Sequence, residues 1–235
     1  MSKKTAHGNK IIIAAVVVIV AGAAWFGYSQ QTEHLNNPDL AAAQQAEVAA
    51  AEQAPSPRAK VFDAQPGDIV LGKDDAAITI IDYSSLSCPH CAHFHLNVLP
   101  NLRKTYIDSG KAKLIYRHFP LNAPALRAAQ LVNCAAPAKR EKFLQVLFDL
   151  QQQWAFNEAY VVQLKEIAKV GGMDSAQFDA CIADEDIEAQ IITTRKRGAE
   201  EAGVNSTPAF FINGVKLAEA PEMDAFDDAI AAQAK

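Results

Sequence analysis

Ile78-Thr79-Ile80-Ile81-Asp82-Tyr83, followed shortly by Ser87-Cys88-Pro89-His90-Cys91, is the stretch that decides the fold. Its first part, apolar and β-branched, reads as a strand. Its second part places two thiols one helical turn apart. Pro89 has no N–H to lose in the first turn of a helix and a φ already near the helical value. A CxxC at a helix start sets one sulfur at the positive end of the dipole, where a thiolate is favoured. The other lies one turn inside, close enough to close a small disulfide ring. This is a redox site rather than a zinc knuckle, with Cys88 as the exposed nucleophile and Cys91 as the resolving thiol. His90, a donor and potential cation between the sulfurs, stabilises the Cys88 thiolate, which makes the disulfide the stronger oxidant. The plainer reading of His90 is an exposed helix residue.

Around this stretch the pattern is strand, helix, strand. Ile69 to Leu71 is a short first strand, and Ala77 to Tyr83 delivers the CPHC. The helix after it carries Phe94 and Val98 and ends near Pro100 or soon after, with Leu102 and Tyr106 keeping a helical spacing beyond. Lys113 to His118 alternates as a third strand. This order predicts a right-handed βαβ unit with parallel strands. From Pro124 to about Gly198 the periodicity is helical, with Gly171-Gly172 as a stop and Asp174 or Ser175 as the next cap. Ala209 to Ile212 and Val215 to Leu217 around Asn213-Gly214 read as a β-hairpin, and Glu222 to Ala234 as a last helix.

Together with Val204-Asn205-Ser206-Thr207-Pro208-Ala209-Phe210, the strand and the CPHC resemble the DsbA-like branch of the thioredoxin superfamily, from about Ala64 to the C-terminus. The resemblance implies an α/β thioredoxin fold with an inserted all-helical domain. The expected division is 61–121 and 199–235 for the thioredoxin part and 122–198 for the insertion. It implies a thiol-disulfide oxidoreductase of the bacterial cell envelope that uses no cofactor and donates a disulfide from Cys88-Cys91 to reduced or unfolded exported proteins. A membrane quinone-linked DsbB-like protein would reoxidise it. Asp82, six residues before Cys88, matches the buried carboxylate of the superfamily and is placed to shuttle the proton of Cys91. Pro208 resembles the cis-proline that faces the CxxC and presents Thr207 to an extended substrate chain. Threonine before that proline departs from the best-known DsbA pattern, which has valine, and occurs in related isomerases and reductases. Those activities are therefore the alternative within the fold.

The N-terminus carries the address. Lys3, Lys4 and Lys10 precede an uncharged run from Ile11 to Tyr28. Positive charge on that side predicts a cytoplasmic N-terminus and an exported remainder. At about 1.5 Å per residue the run reaches roughly 27 Å, enough for a membrane anchor. Ala21-Gly22-Ala23 gives the other reading of 1–28, a cleaved signal peptide. Residues 29–60, rich in Ala, Gln and Glu, read as a tether.

With 22 basic and 27 acidic residues, a net charge of −5 and no basic stripe, nothing points to nucleic acid. His93 and His95 join the CPHC in a cluster that raises envelope copper or zinc binding as a reading of another class. Cys91 and His95 share a helical face while His93 points elsewhere, so one helix cannot supply a tetrahedral set, and both histidines are expected at the partly exposed rim. Cys134 and Cys181 each sit on an apolar stripe of the helical block and, in an exported domain, are expected to form a structural disulfide.

Overall fold

The computed structural model describes residues 60–218 and 221–233. The expected anchor or signal at 1–28 and nearly all of the tether lie outside them. The five strands are β1 (Ile69–Leu71), β2 (Ile78–Ser84), β3 (Ala112–His118), β4 (Ala209–Ile212) and β5 (Val215–Lys216). They form one sheet in the order β1-β3-β2-β4-β5, in which only β2 and β3 run parallel. The parallel pair is the βαβ unit expected from the sequence, and β4-β5 is the expected hairpin.

The crossover between β2 and β3 is one helical run. It begins with α1 (Pro89–His93), continues through a π-helical turn (Phe94–Val98) into α2 (Leu99–Leu102), and ends in a second π turn (Arg103–Ile107). Pro100 offers no N–H, and the wide turn before it is closed by the Leu99 N–H bonding to the Phe94 carbonyl five residues back. The run thus passes Pro100 and takes in Leu102 and Tyr106.

Six helices then leave the sheet before β4: α3 (Ala123–Cys134), α4 (Pro137–Asp149), α5 (Gln151–Trp154), α6 (Tyr160–Val170), α7 (Ser175–Ile182) and α8 (Glu185–Glu200). Asn122 caps α3 through the Ala125 N–H, and Asp174 and Gln177 form a reciprocal capping box on α7. The last helix, α9 (Met223–Gln233), returns to the sheet. Among the described residues no helix is long and apolar enough to cross a membrane.

Strand alternation sorts the core. Ile80, Tyr116 and Leu114 face the helical run and the helical block, in one cluster with Phe94, Phe148, Trp154, Phe210 and Phe226. Phe94, Phe210 and Phe226 lie 4.5 to 5.6 Å apart between ring centroids, pinning the crossover and α9 to β4. Ile81, Tyr83, Ile115 and Phe211 fill the other face with Val61, Phe119 and Val204. There α8 approaches so closely that a Cβ on Gly198 would lie 2.7 Å from the Tyr83 ring. Helical block and sheet share the first cluster, so the insertion helps to cover the site face.

Candidate active site

Asp82 and Ser84 alternate onto the face of β2 beneath the helical run, and both are buried. The chain then turns through 85–87. Cys88 is the extended N-cap of α1 and Pro89 occupies its first turn. The turn is held from the helical block: the Gln151 side chain donates to the Leu86 and Cys88 carbonyls, at 2.7 and 3.0 Å. From the other side comes Thr207-Pro208, whose peptide bond is cis. The Cys88 thiol donates to the Thr207 carbonyl at 3.3 Å.

The two sulfurs, free thiols in this structure, are strongly unlike. Cys88 is held down at about 5, chiefly by the Cys91 thiol donating to it, against the opposing effect of burial. The Thr207 hydroxyl and the backbone N–H groups of Cys91 and His90 add to the lowering. Cys91 is pushed far up, first by burial, then by the neighbouring Cys88 and the negative charge of Asp82; the Ser84 hydroxyl opposes this. One sulfur is a thiolate at neutral pH and the other a thiol.

Below Cys91 lies a buried polar group of three residues. Ser84 Oγ donates to Asp82 Oδ1, and Asp82 Oδ2 meets His95 Nε2 at 2.8 Å. The His95 ring stacks on Phe148 with centroids 4.4 Å apart and meets the Tyr116 edge at 5.3 Å. Tyr116 is the cross-strand partner of Asp82.

Three sequence expectations need correction. Cys88 is not an exposed sulfur: only 7 % of the residue is accessible, against 0 % for Cys91, because the Thr207 loop lies over it. The His90 ring is exposed and is not the group that holds Cys88 down. What reaches the sulfur is the His90 N–H, since first-turn N–H groups point toward the N-terminus while first-turn side chains point outward. His95 is not at the rim but buried against Asp82 and Phe148. His93 is exposed, 3.3 Å from Glu222. The two histidines thus diverge, and among the described residues no group of three or more His, Cys, Asp and Glu side chains gathers as metal ligands do.

Cys134 on α3 and Cys181 on α7 are joined in a disulfide within the helical block. Two residues of the site were missed in the sequence, and His95 was placed at the rim rather than in the interior. Ser84 carries a signal, since strand alternation puts it on the face of Asp82. Gln151 carries none, because only the tertiary fold brings α5 to the CPHC turn.

The family described as Thioredoxin is matched over residues 64–232. A Rickettsia prowazekii protein whose name places it among the protein-disulfide oxidoreductases is 30 % identical over 161 residues, 68 % of this chain and 59 % of that relative's length. The chain thus spans well under two thirds of that relative. The crystal structure of Wolbachia pipientis alpha-DsbA1 superposes with a TM-score of 0.69 at 31 % identity, covering 75 % of this chain and 95 % of that one. Oxidised BdbD from Bacillus subtilis shares the fold, with a TM-score of 0.64 at 21 % identity over 73 % of this chain and 97 % of that one. By sequence, by fold and by the CPHC beside a cis Thr-Pro, the chain belongs to the DsbA-like thiol-disulfide oxidoreductases of the thioredoxin family.

Proposed function

We propose that this protein donates the Cys88-Cys91 disulfide to reduced or unfolded exported proteins in the bacterial cell envelope. The observation that carries the reading is the asymmetry of the two sulfurs, with Cys88 held near 5 and Cys91 pushed up. A site that stabilises its own thiolate stabilises its reduced form, and its disulfide gives itself away readily.

In the forward reaction a substrate thiolate bonds to Cys88 Sγ. The Cys88–Cys91 bond breaks, and Cys91 departs with the electron pair and takes a proton from the polar group beneath it. A second substrate thiolate then attacks the substrate sulfur of the mixed disulfide, and Cys88 leaves as the stable thiolate. The substrate loses two electrons, which the enzyme holds as its dithiol. Thr207 lies where an extended substrate backbone would pair beside Cys88, and Asp82 lies beneath Cys91 as its proton partner.

The three lysines before the uncharged run 11–28 support export of the remainder, anchored on the periplasmic side of the inner membrane or released after cleavage. Catalysis in that compartment needs an oxidant for the dithiol, and a membrane quinone-linked DsbB-like protein fits that need. Threonine before Pro208 favours a second reading, isomerase or reductase.

The test is to mix the oxidised protein with a reduced, unfolded protein that has several cysteines. Disulfide transfer that disappears in Cys88→Ser supports the donor reading. Faster insulin reduction than substrate oxidation, with a redox potential near that of thioredoxin, replaces it by the reductase reading.

A further inference from the structure

When Cys91 leaves the disulfide it becomes a thiolate in surroundings that do not favour one, so a proton must reach it inside the protein. The Ser84 hydroxyl donates to Asp82 and lies near enough to Cys91 to favour its thiolate. Asp82 itself has no accessible surface, while the His95 side chain keeps 5 % of its own. A carboxylate sealed from water cannot exchange a proton with it directly. His95 has Nε2 on that carboxylate, 2.8 Å away, and among the described residues its Nδ1 has no hydrogen-bond partner. An imidazole can take a proton on one nitrogen and release one from the other. Its ring cannot swing freely, being stacked on Phe148 and edged by Tyr116 and Phe94.

We propose that His95 is a positioning residue that orients Asp82 and passes protons between it and water, and so sets the rate at which Cys91 gains or loses its proton. This rests on the oxidoreductase reading of Cys88 and Cys91. In the donating direction the electron pair of the broken S–S bond stays on Cys91 Sγ, which takes a proton from the polar group beneath it. The Asp82–His95 pair supplies that proton, His95 giving one up at Nε2 toward Asp82 and taking one from water at Nδ1. One proton enters for each Cys91 released, and the reverse reaction returns it by the same route.

A histidine kept only to pair a buried carboxylate would predict different kinetics. Among the described residues, the titratable groups set against the ring are Asp82 from β2 and Tyr116 from β3, with His118 behind Tyr116 and Cys91 one helical turn earlier; the ring from α4 that meets it is Phe148. His95→Gln keeps an N–H donor for Asp82 but cannot shuttle a proton.

The experiment follows reduction of the oxidised full-length protein by dithiothreitol in rapid mixing, between about pH 5 and 9, for wild type, His95→Gln, Asp82→Asn and the double variant. The expected result is a loss of about tenfold or more in His95→Gln, a flattened pH profile, and a double variant no slower than Asp82→Asn alone. A wild-type rate and profile in His95→Gln overturns the proposal, as do losses that multiply in the double variant. Should His95→Gln not fold, nitrogen-labelled histidine in the unaltered protein gives the answer. Ring signals of His95 that move neither with pH nor between the oxidised and reduced forms refute the relay. If wild type does not exchange with dithiothreitol, or Cys88→Ser still does, it is the oxidoreductase reading that fails.

Discussion

The sharpest consequence of the asymmetric sulfurs is a pH-dependent gap between the stabilities of the reduced and oxidised forms. The perturbation is a shift from pH 4 to pH 7. Cys88 ionises near 5 in the folded dithiol and near the ordinary ~8.5 in the unfolded chain. A folded value below the unfolded one adds stability that is fully present above the unfolded value and lost as pH falls through about 5. At pH 7 two pH units of this are expressed, worth about 2.7 kcal/mol. Cys88 keeps 7 % of its surface open to solvent, which screens part of the interaction, so about 1.5 kcal/mol is the figure to expect. The oxidised form has no thiol to titrate. His118, buried and pushed down to about 3 by desolvation, costs both forms stability in acid and cancels in the difference. Above the ordinary thiol range the raised Cys91 works in the opposite direction, so the window is about pH 5 to 8. The assay is thermal melting of both forms in a Cys134→Ala, Cys181→Ala background, so that the reductant acts only on the CPHC. The reduced-minus-oxidised difference in Tm should rise by about 3–6 °C from pH 4 to pH 7 for a domain of this size. A difference that stays flat or falls over that range would refute the thiolate assignment.

Three further outcomes follow from particular contacts. His90→Ala keeps the backbone N–H and should leave the Cys88 midpoint within about one pH unit of its wild-type value, whereas His90→Pro removes the N–H and should raise it further; thiolate ultraviolet absorbance measures both, and equal effects would return the role to the imidazole. Loss of the Cys134–Cys181 disulfide, which spans 47 residues, should cost up to about 4 kcal/mol of chain entropy, read from denaturant midpoints after non-reducing peptide mapping has verified the pairing. Gly198→Ala, a change that ordinarily stabilises a helix, should instead cost about 1–3 kcal/mol because the new Cβ meets the fully buried Tyr83 ring, and a raised Tm would contradict the packing.

Local pattern carried the architecture and failed at depth. The βαβ unit, the hairpin around Asn213-Gly214 and the Asp174 cap were legible because each depends on residues close in sequence, and so were the two sulfurs and Asp82. Burial of Cys88 was not, because the carbonyl that covers it comes from Thr207, 119 residues along the chain. His95 shows the same limit: its spacing from Cys91 gives the helical face, but only Phe148, from α4, decides that this face is sealed. For His90 the residue type was misleading, since the group that matters at the sulfur is one every residue except proline has.

The two faces of the sheet also show why the Asp82–His95 pair is better explained by chemistry than by stability. On the far face Arg117 and Asp68 form a sealed ion pair. Arg117 also donates to the Val61 and Asp63 carbonyls and to Tyr83, tying the segment that enters β1 to β3. That pair anchors the chain and lies on the side away from the thiols. On the near face an apolar pair of the same volume would fill the space under Cys91 as well, and such replacements are often neutral or stabilising. Asp82 raises the Cys91 pKa still further, so it opposes ionisation of the dithiol. Its position beside Ser84, under the leaving sulfur and in contact with a histidine whose side chain keeps 5 % of its surface accessible, is what proton delivery to Cys91 requires and what packing alone does not.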